Sequence, residues 1–136
     1  MLFRSGKNLC RKPKSAPVYL VGLKDILGQI SASGKGSFLA VLKLYGPAND
    51  NFLSFPMEGY SLALDFKIEP GLFALLNKLD ETVARYGGRI YLTKDVRVSK
   101  KIFEQGYPLV EKFREIRKSY GLNKRFNSLQ SKRLGL

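Results

Sequence analysis

One stretch constrains this chain more than any other. From Tyr60 to Ile68, large apolar side chains alternate strictly with small or polar ones. Tyr60, Leu62, Leu64, Phe66 and Ile68 fall on one side of a strand, and Ser61, Ala63, Asp65 and Lys67 on the other. The first row is core and needs a packed layer; the second faces water or a cavity. A strand also needs a neighbour, and SFLAVLKLYG, Ser37 to Gly46, is apolar and β-branched enough to be one. Two long strands are too few for a self-sufficient sheet. Their outer edges call for partners that the rest of the sequence barely supplies.

Helical spacing accounts for most of what remains. From Val18, the residues Leu20, Leu23, Ile26/Leu27 and Ile30 recur on one face, and the helix stops before Gly34-Lys35-Gly36. A second helix begins with Pro70 near its first turn and buries Leu72, Leu75, Leu76, Leu79 and Val83. Gly87-Gly88 ends it, because glycine accepts the left-handed conformation of a helix C-terminus. Arg89 to Tyr91 reads as a short strand. Ser99 caps a short helix through Phe103 and Gln105, and Pro108 opens another carrying Leu109, Val110, Phe113 and Ile116. Met1 to Ala16 is basic, interrupted by proline and without a hydrophobic period, and reads as an arm. The order gives an α+β fold, a partial antiparallel sheet covered by helices.

Composition closes several routes to function. There is no histidine, so imidazole acid–base chemistry and His-ligated zinc are excluded for this chain. A single cysteine, Cys10, excludes an intrachain disulfide and a CxxC site, and no metal site is expected. No apolar run reaches the ~18 residues of a membrane span, and no signal peptide is visible. The reading therefore places the chain in the cytoplasm or at the periphery of the inner membrane. Lys and Arg number 24 against 11 Asp and Glu, a net charge of +13. Such a surplus fits nucleic acid, an anionic surface, an anionic substrate or a missing acidic partner. The basic C-terminal stretch EKFREIRKSYGLNKRFNSLQSKRLGL has aromatic residues interleaved but no nucleic-acid-binding motif.

Two lysines stand out. Lys43 interrupts an apolar strand, sharing a face with Leu39, Val41 and Tyr45. It is either a snorkelling edge lysine or part of a site. If the two strands pair, Lys43 and Tyr45 share a face with Ser61, Ala63 and Asp65, a cationic and partly apolar wall suited to a ligand with hydroxyl and anionic groups. In GGRIYLTKD, Gly87 to Asp95, Tyr91 and Lys94 follow a helix–turn corner. Lys94 and Asp95 form either a solvated local ion pair or one site residue beside one outward residue. Neither GxGxxG nor GxxxxGK[ST] occurs, so no dinucleotide phosphate loop is present.

SFLAVLKLYGP (Ser37–Pro47), LSFPMEGYSLALDF (Leu53–Phe66), YGGRIYLTKD (Tyr86–Asp95) and FNSLQSKRLGL (Phe126–Leu136) together resemble the C-terminal part of FAD-linked oxidases. The group is that of the decaprenylphosphoryl-β-D-ribose oxidases, vanillyl-alcohol-oxidase-type flavoproteins related to the aldonolactone oxidases. The resemblance runs from about Leu20 to Leu136. It implies a C-terminal fragment of a larger two-domain flavoprotein. Residues 18–88 would end a substrate-binding domain, 89–136 would return to the FAD-binding domain, and 1–17 would be an unmatched basic arm.

Roles follow from the same resemblance. Tyr91 and Lys94 would contact FAD, with Lys94 at the flavin–substrate junction. Lys43 would line the substrate pocket, with Leu39, Val41, Tyr45, Ser61 and Ala63 around it; Lys43 and Lys94 are the catalytic candidates. Two positions depart: Ser61 stands where mycobacterial members have asparagine, and Ala63 where they have a cysteine. The implied function is oxidation of a sugar-like alcohol, such as a polyprenyl-phosphate sugar. The module that binds the FAD pyrophosphate would lie outside the chain, which alone is not expected to be active. A homo-oligomer is a further possibility. The alternative is a non-enzymatic basic module for nucleic acid or an anionic surface; the resemblance moves nucleic acid down the order.

Overall fold

The structure is a computed structural model that describes residues 18–136. The basic arm falls outside the described residues. Helix α1 (Val18–Ala32) leads into a hairpin of β1 (Ser37–Tyr45) and β2 (Gly59–Phe66), followed by α2 (Leu72–Arg85). A single 3₁₀ turn, Leu92–Lys94, precedes α3 (Lys100–Gly106), α4 (Val110–Ser119), α5 (Leu122–Arg125) and α6 (Leu129–Leu134). The fold is α+β, with a two-stranded antiparallel sheet among the described residues.

The alternation that defines β2 also sets its packing. Leu62 is buried against Leu23, Ile26 and Ile30 of α1 and Leu79 and Val83 of α2, with Leu64 and Phe66 packed on the same cluster. The stripe expected on α2 is thus found, with Leu72, Leu79 and Val83 buried and Leu75 and Leu76 half-buried. Ile68 does not join it. The strand ends at Phe66, and Ile68 is 76% exposed. Nor does Pro70 lie in the helix: Gly71, at φ 81°, turns the chain, and the helix begins at Leu72. At the other end, the N–H of Gly87 donates to Ala84 O and that of Gly88 to Val83 O, both at 2.9 Å, with Gly87 at φ 69°. This is the left-handed glycine cap the sequence called for.

A second core lies beneath the C-terminal helices. Val98, Phe103, Tyr107, Val110 and Leu134 are buried together. Ile90 packs on both clusters and joins them. Ser99 caps α3 by accepting from the Ile102 N–H, as expected. The last helix, α6, opens on a capping box between Ser128 and Ser131. Its C-terminal carbonyls are met by Arg114 of α4, whose guanidinium donates to Leu134 O at 2.9 Å and to Gly135 O at 2.7 Å.

Of the strand expected at Arg89–Tyr91, only a single β-bridge at Arg89 forms among the described residues. The hydroxyl of Tyr107 donates to Ile90 O at 2.7 Å, and Gln130 donates to Leu92 O at 2.6 Å. A side chain thus takes up the Ile90 carbonyl, and past the bridge the segment runs into the 3₁₀ turn.

β1 contrasts with everything else in the fold. Its register with β2 is antiparallel, from Leu39↔Asp65 to Tyr45↔Gly59, with an irregularity between Ser37 and Leu39. The Ser37 hydroxyl stitches this point, donating to Leu39 O at 2.6 Å and accepting from the Asp65 N–H at 3.0 Å. Beyond that pairing the strand is bare. Phe38 is 78% and Leu44 72% exposed, and Leu39, Val41 and Leu42 are exposed too. The helices cover β2 and stop short of β1.

Candidate functional site

Strand register decides which side chains meet. Lys43 lies directly opposite Ser61, Val41 opposite Ala63, Leu39 opposite Asp65 and Tyr45 opposite Gly59. Cross-strand partners share a face, and Leu62, Leu64 and Phe66 occupy the helix-covered one. Leu39, Val41, Lys43, Tyr45, Ser61, Ala63 and Asp65 therefore share the opposite face, the grouping that the alternation predicts. Lys43 and Ala63 are exposed, Tyr45 is half-buried and Ser61 is buried.

Phe55, which the sequence reading passed over, extends this wall toward Tyr91. Its ring meets Tyr45 edge-on at 6.0 Å between centroids and Tyr91 at 4.8 Å. Both distances are in the range of favourable aromatic pairs. Phe55 and Met57 are buried and form a small core with Tyr45. Tyr91 stays 41% exposed and precedes the 3₁₀ turn that carries Lys94. Ring contacts thus link Tyr45, through the buried Phe55, to Tyr91, which directly precedes the Lys94 turn. Neither lysine has an ion-pair partner among the described residues.

The turn is clamped from two sides. Asp95 points inward, its side chain only 3% exposed. Its carboxylate accepts from the N–H groups of Arg97 at 2.9 Å and Val98 at 2.8 Å, and from Arg133 of α6 at 2.7 Å. Burial pushes this carboxyl up, but Arg133 and the two N–H groups together hold it below the ordinary carboxylate range. Arg133 also donates to Val98 O at 2.8 Å. Gln130 donates to Leu92 O at 2.6 Å and to Asp95 O at 3.2 Å. On the other side Arg97 grips the buried Asp80 of α2 with two bonds, at 2.7 and 2.9 Å, and reaches Asn77 at 2.7 Å. Burial raises the Asp80 carboxyl above its usual range despite Arg97.

This corrects the local ion-pair reading of Lys94 and Asp95. Asp95 pairs with Arg133, and Lys94 is left exposed. The missed residues are Phe55, Asp80, Arg97, Gln130 and Arg133. Phe55, Gln130 and Arg133 lie inside the family-like motifs and Arg97 just beyond one, whereas Asp80 lies in none. Part of the basic surplus is internal as well: Arg97, Arg114, Arg117 and Arg133 all bond carbonyls or carboxylates within the fold. A surface cleft between α2 and α3, lined by Glu81, Arg85, Ser99 and Lys101, includes none of the predicted site residues.

Over 113 residues, 83% of the chain, the sequence is 40% identical to decaprenylphosphoryl-beta-D-ribose oxidase of Mycolicibacterium smegmatis. The chain resembles that oxidase. A second relative, from Streptomyces coelicolor, is 36% identical over 115 residues and is described only as an uncharacterized protein in the mprA 5' region. The matched segments make up 25% and 31% of these two proteins, so the chain spans a quarter to a third of their lengths. No protein-family model matches it. Among the described residues, no helix is long and apolar enough to cross a membrane.

Proposed function

We propose that this chain forms the substrate- and flavin-facing wall of an FAD-dependent oxidoreductase that oxidises a sugar-like alcohol. The supporting observation is the sheet face that carries Lys43, Ser61 and Tyr45, linked by ring contacts through the buried Phe55 to Tyr91, beside the Lys94 turn. Two ammonium groups without carboxylate partners, set along an aromatic and aliphatic surface, match the needs of an anionic, hydroxyl-rich ligand beside a ring that gains negative charge. Bound FAD would supply the acceptor for a hydride from the alcohol carbon.

The chain's own residues divide the remaining work. Lys94 stabilises negative charge at the edge of the ring, and Tyr91 packs beside it. Lys43 and Ser61 bind the oxygens of the substrate, a polyprenyl-phosphate sugar or a related compound. Leu39, Val41, Tyr45 and Ala63 supply the apolar flank. The sequence holds neither GxGxxG nor GxxxxGK[ST], so no glycine loop of that kind is offered to the FAD pyrophosphate. That part of the site, and any histidine base for the hydroxyl proton, would come from sequence outside this chain.

A chimera tests the reading. The sequence replaces the matching segment of the Mycolicibacterium smegmatis oxidase, and flavin content is measured by absorbance. The chimera is expected to hold FAD, whereas titration calorimetry on the chain alone is expected to show weak binding or none. Stoichiometric, micromolar FAD binding by the chain alone, or a folded chimera without flavin, would contradict it.

A further inference from the structure

Lys94 sits on one turn of 3₁₀ helix, a short element with weak hydrogen-bond geometry of its own. Its only internal bonds are Lys94 N–H to Tyr91 O at 3.3 Å and Asp95 N–H to Leu92 O at 3.2 Å. Such a turn does not hold a cation in one place unaided. Besides the Arg97–Asp80 tie to α2, what fixes it comes from α6, more than thirty residues further along the chain. The Gln130 amide reaches both ends of the turn, Leu92 O and Asp95 O. The Arg133 guanidinium forks between the Asp95 carboxylate and Val98 O. α6 is itself fixed by its capping box, by Arg114 on its last carbonyls and by Leu134 in the second core.

We infer that Gln130 and Arg133 are positioning residues for Lys94: α6 acts as a brace that sets where the Lys94 ammonium lies relative to Tyr91 and the open face. The inference rests on the proposed flavin-facing role of Lys94. Both braces act on backbone carbonyls and on Asp95, not on a ligand, so they set geometry without entering the chemistry. Arginine is the suited residue at 133, because a planar fork meets two acceptors at once where an ammonium meets them singly. The brace also gives the C-terminal motif FNSLQSKRLGL a physical role, since Gln130 and Arg133 both lie in it.

The test uses the full chain first. Backbone amide exchange and the ring-proton spectrum are compared for the original sequence, Gln130→Ala and Arg133→Lys. In both variants the amides of Lys94 and Asp95 are expected to exchange about tenfold faster, the effect of losing one well-made hydrogen bond to a part-buried group. The Tyr91 ring signals are expected to lose the shift imposed by Phe55, while α2 amides keep their protection. Gln130→Ala removes no charge, so it decides the matter if Arg133→Lys fails to fold. Unchanged exchange and unchanged Tyr91 signals in Gln130→Ala would overturn the inference.

The chimera then separates the two ideas through the flavin midpoint potential. Lys94→Ala is expected to lower it, and Gln130→Ala to lower it by a smaller step in the same direction. If Lys94→Ala lowers it and Gln130→Ala does not, the brace is overturned and the flavin-facing role stands. If Lys94→Ala leaves it unchanged, the flavin-facing role falls, and the brace as a device for that role falls with it.

Discussion

Lys43 and Lys94 are held in opposite ways. Lys43 rides on β1, a strand paired on one edge only among the described residues and exposed along nearly its whole length. Lys94 rides on a turn tied to α2 through Arg97–Asp80 and to α6 through Arg133–Asp95. One is placed by backbone register, the other by buried charge. Register is cheap to keep where a single neighbour strand and a patterned core face define it. A turn has no ladder, so its conformation rests on side chains that reach in from distant parts of the chain. The bare strand leaves apolar side chains such as Phe38, Leu42 and Leu44 in the open.

Substitutions can break this comparison, and the largest effect is expected at Asp95. Asp95→Ala leaves the part-buried Arg133 guanidinium without its carboxylate and two backbone N–H groups without their acceptor. A loss of about 3–5 kcal/mol in urea denaturation is expected. A loss below about 1 kcal/mol would mean that the turn is held by something else. Next come two leucines that face each other across the hairpin, Leu42 and Leu62. Leu62→Ala is expected to cost about 2–4 kcal/mol, because it opens a cavity among α1, α2 and β2. Leu42→Ala, on the bare strand, is expected to stay within about 0.5 kcal/mol. Equal losses at both positions would show that β1 is covered after all.

Phe55→Leu should come third. It keeps most of the apolar volume but removes the aromatic contacts to Tyr45 and Tyr91, for about 1 kcal/mol. Urea denaturation reads the cost, and a loss of the upfield shift on the Tyr91 ring protons marks its origin. The smallest expected effect is a matter of order. Asp80 has a raised carboxyl and Asp95 a lowered one. On acidification Asp80 therefore takes up its proton first and Asp95 last. The stabilisation due to Asp95 is present at neutral pH and lost as pH falls through its depressed pKa. For Asp80 the sign is reversed, since its stabilisation is present at low pH and lost as pH rises through its raised pKa. Carboxyl carbon shifts followed by NMR would read both; the opposite order would contradict the clamp.

The open face could be read from the sequence because strand alternation is local: Tyr60–Ile68 sorts its own side chains, and one partner strand fixes the rest. The glycine cap at Gly87 and the serine cap at Ser99 were legible for the same reason. The brace was not. Asp95 and Arg133 are separated by 38 positions, and nothing in a single sequence joins them. The strand expected at Arg89–Tyr91 shrank to a bridge at Arg89, and Tyr107, 17 positions on, takes the Ile90 carbonyl. Ile68 kept the alternating pattern past the point where the helices offer it anything to pack on. The motif resemblance, in contrast, met a relative that is 40% identical over most of the chain.

The most direct measurement is flavin bleaching in the chimera under anaerobic conditions, with a polyprenyl-phosphate sugar as reductant and Lys43→Ala and Lys94→Ala beside the unsubstituted protein. If the open face is the wall of the site, the unsubstituted chimera loses its flavin absorbance on mixing. Lys43→Ala then retains flavin but bleaches about 100-fold or more slowly, the scale of a lost charge-assisted contact in a transition state. Bleaching at the original rate in both lysine variants would contradict the assignment of this face to the reaction.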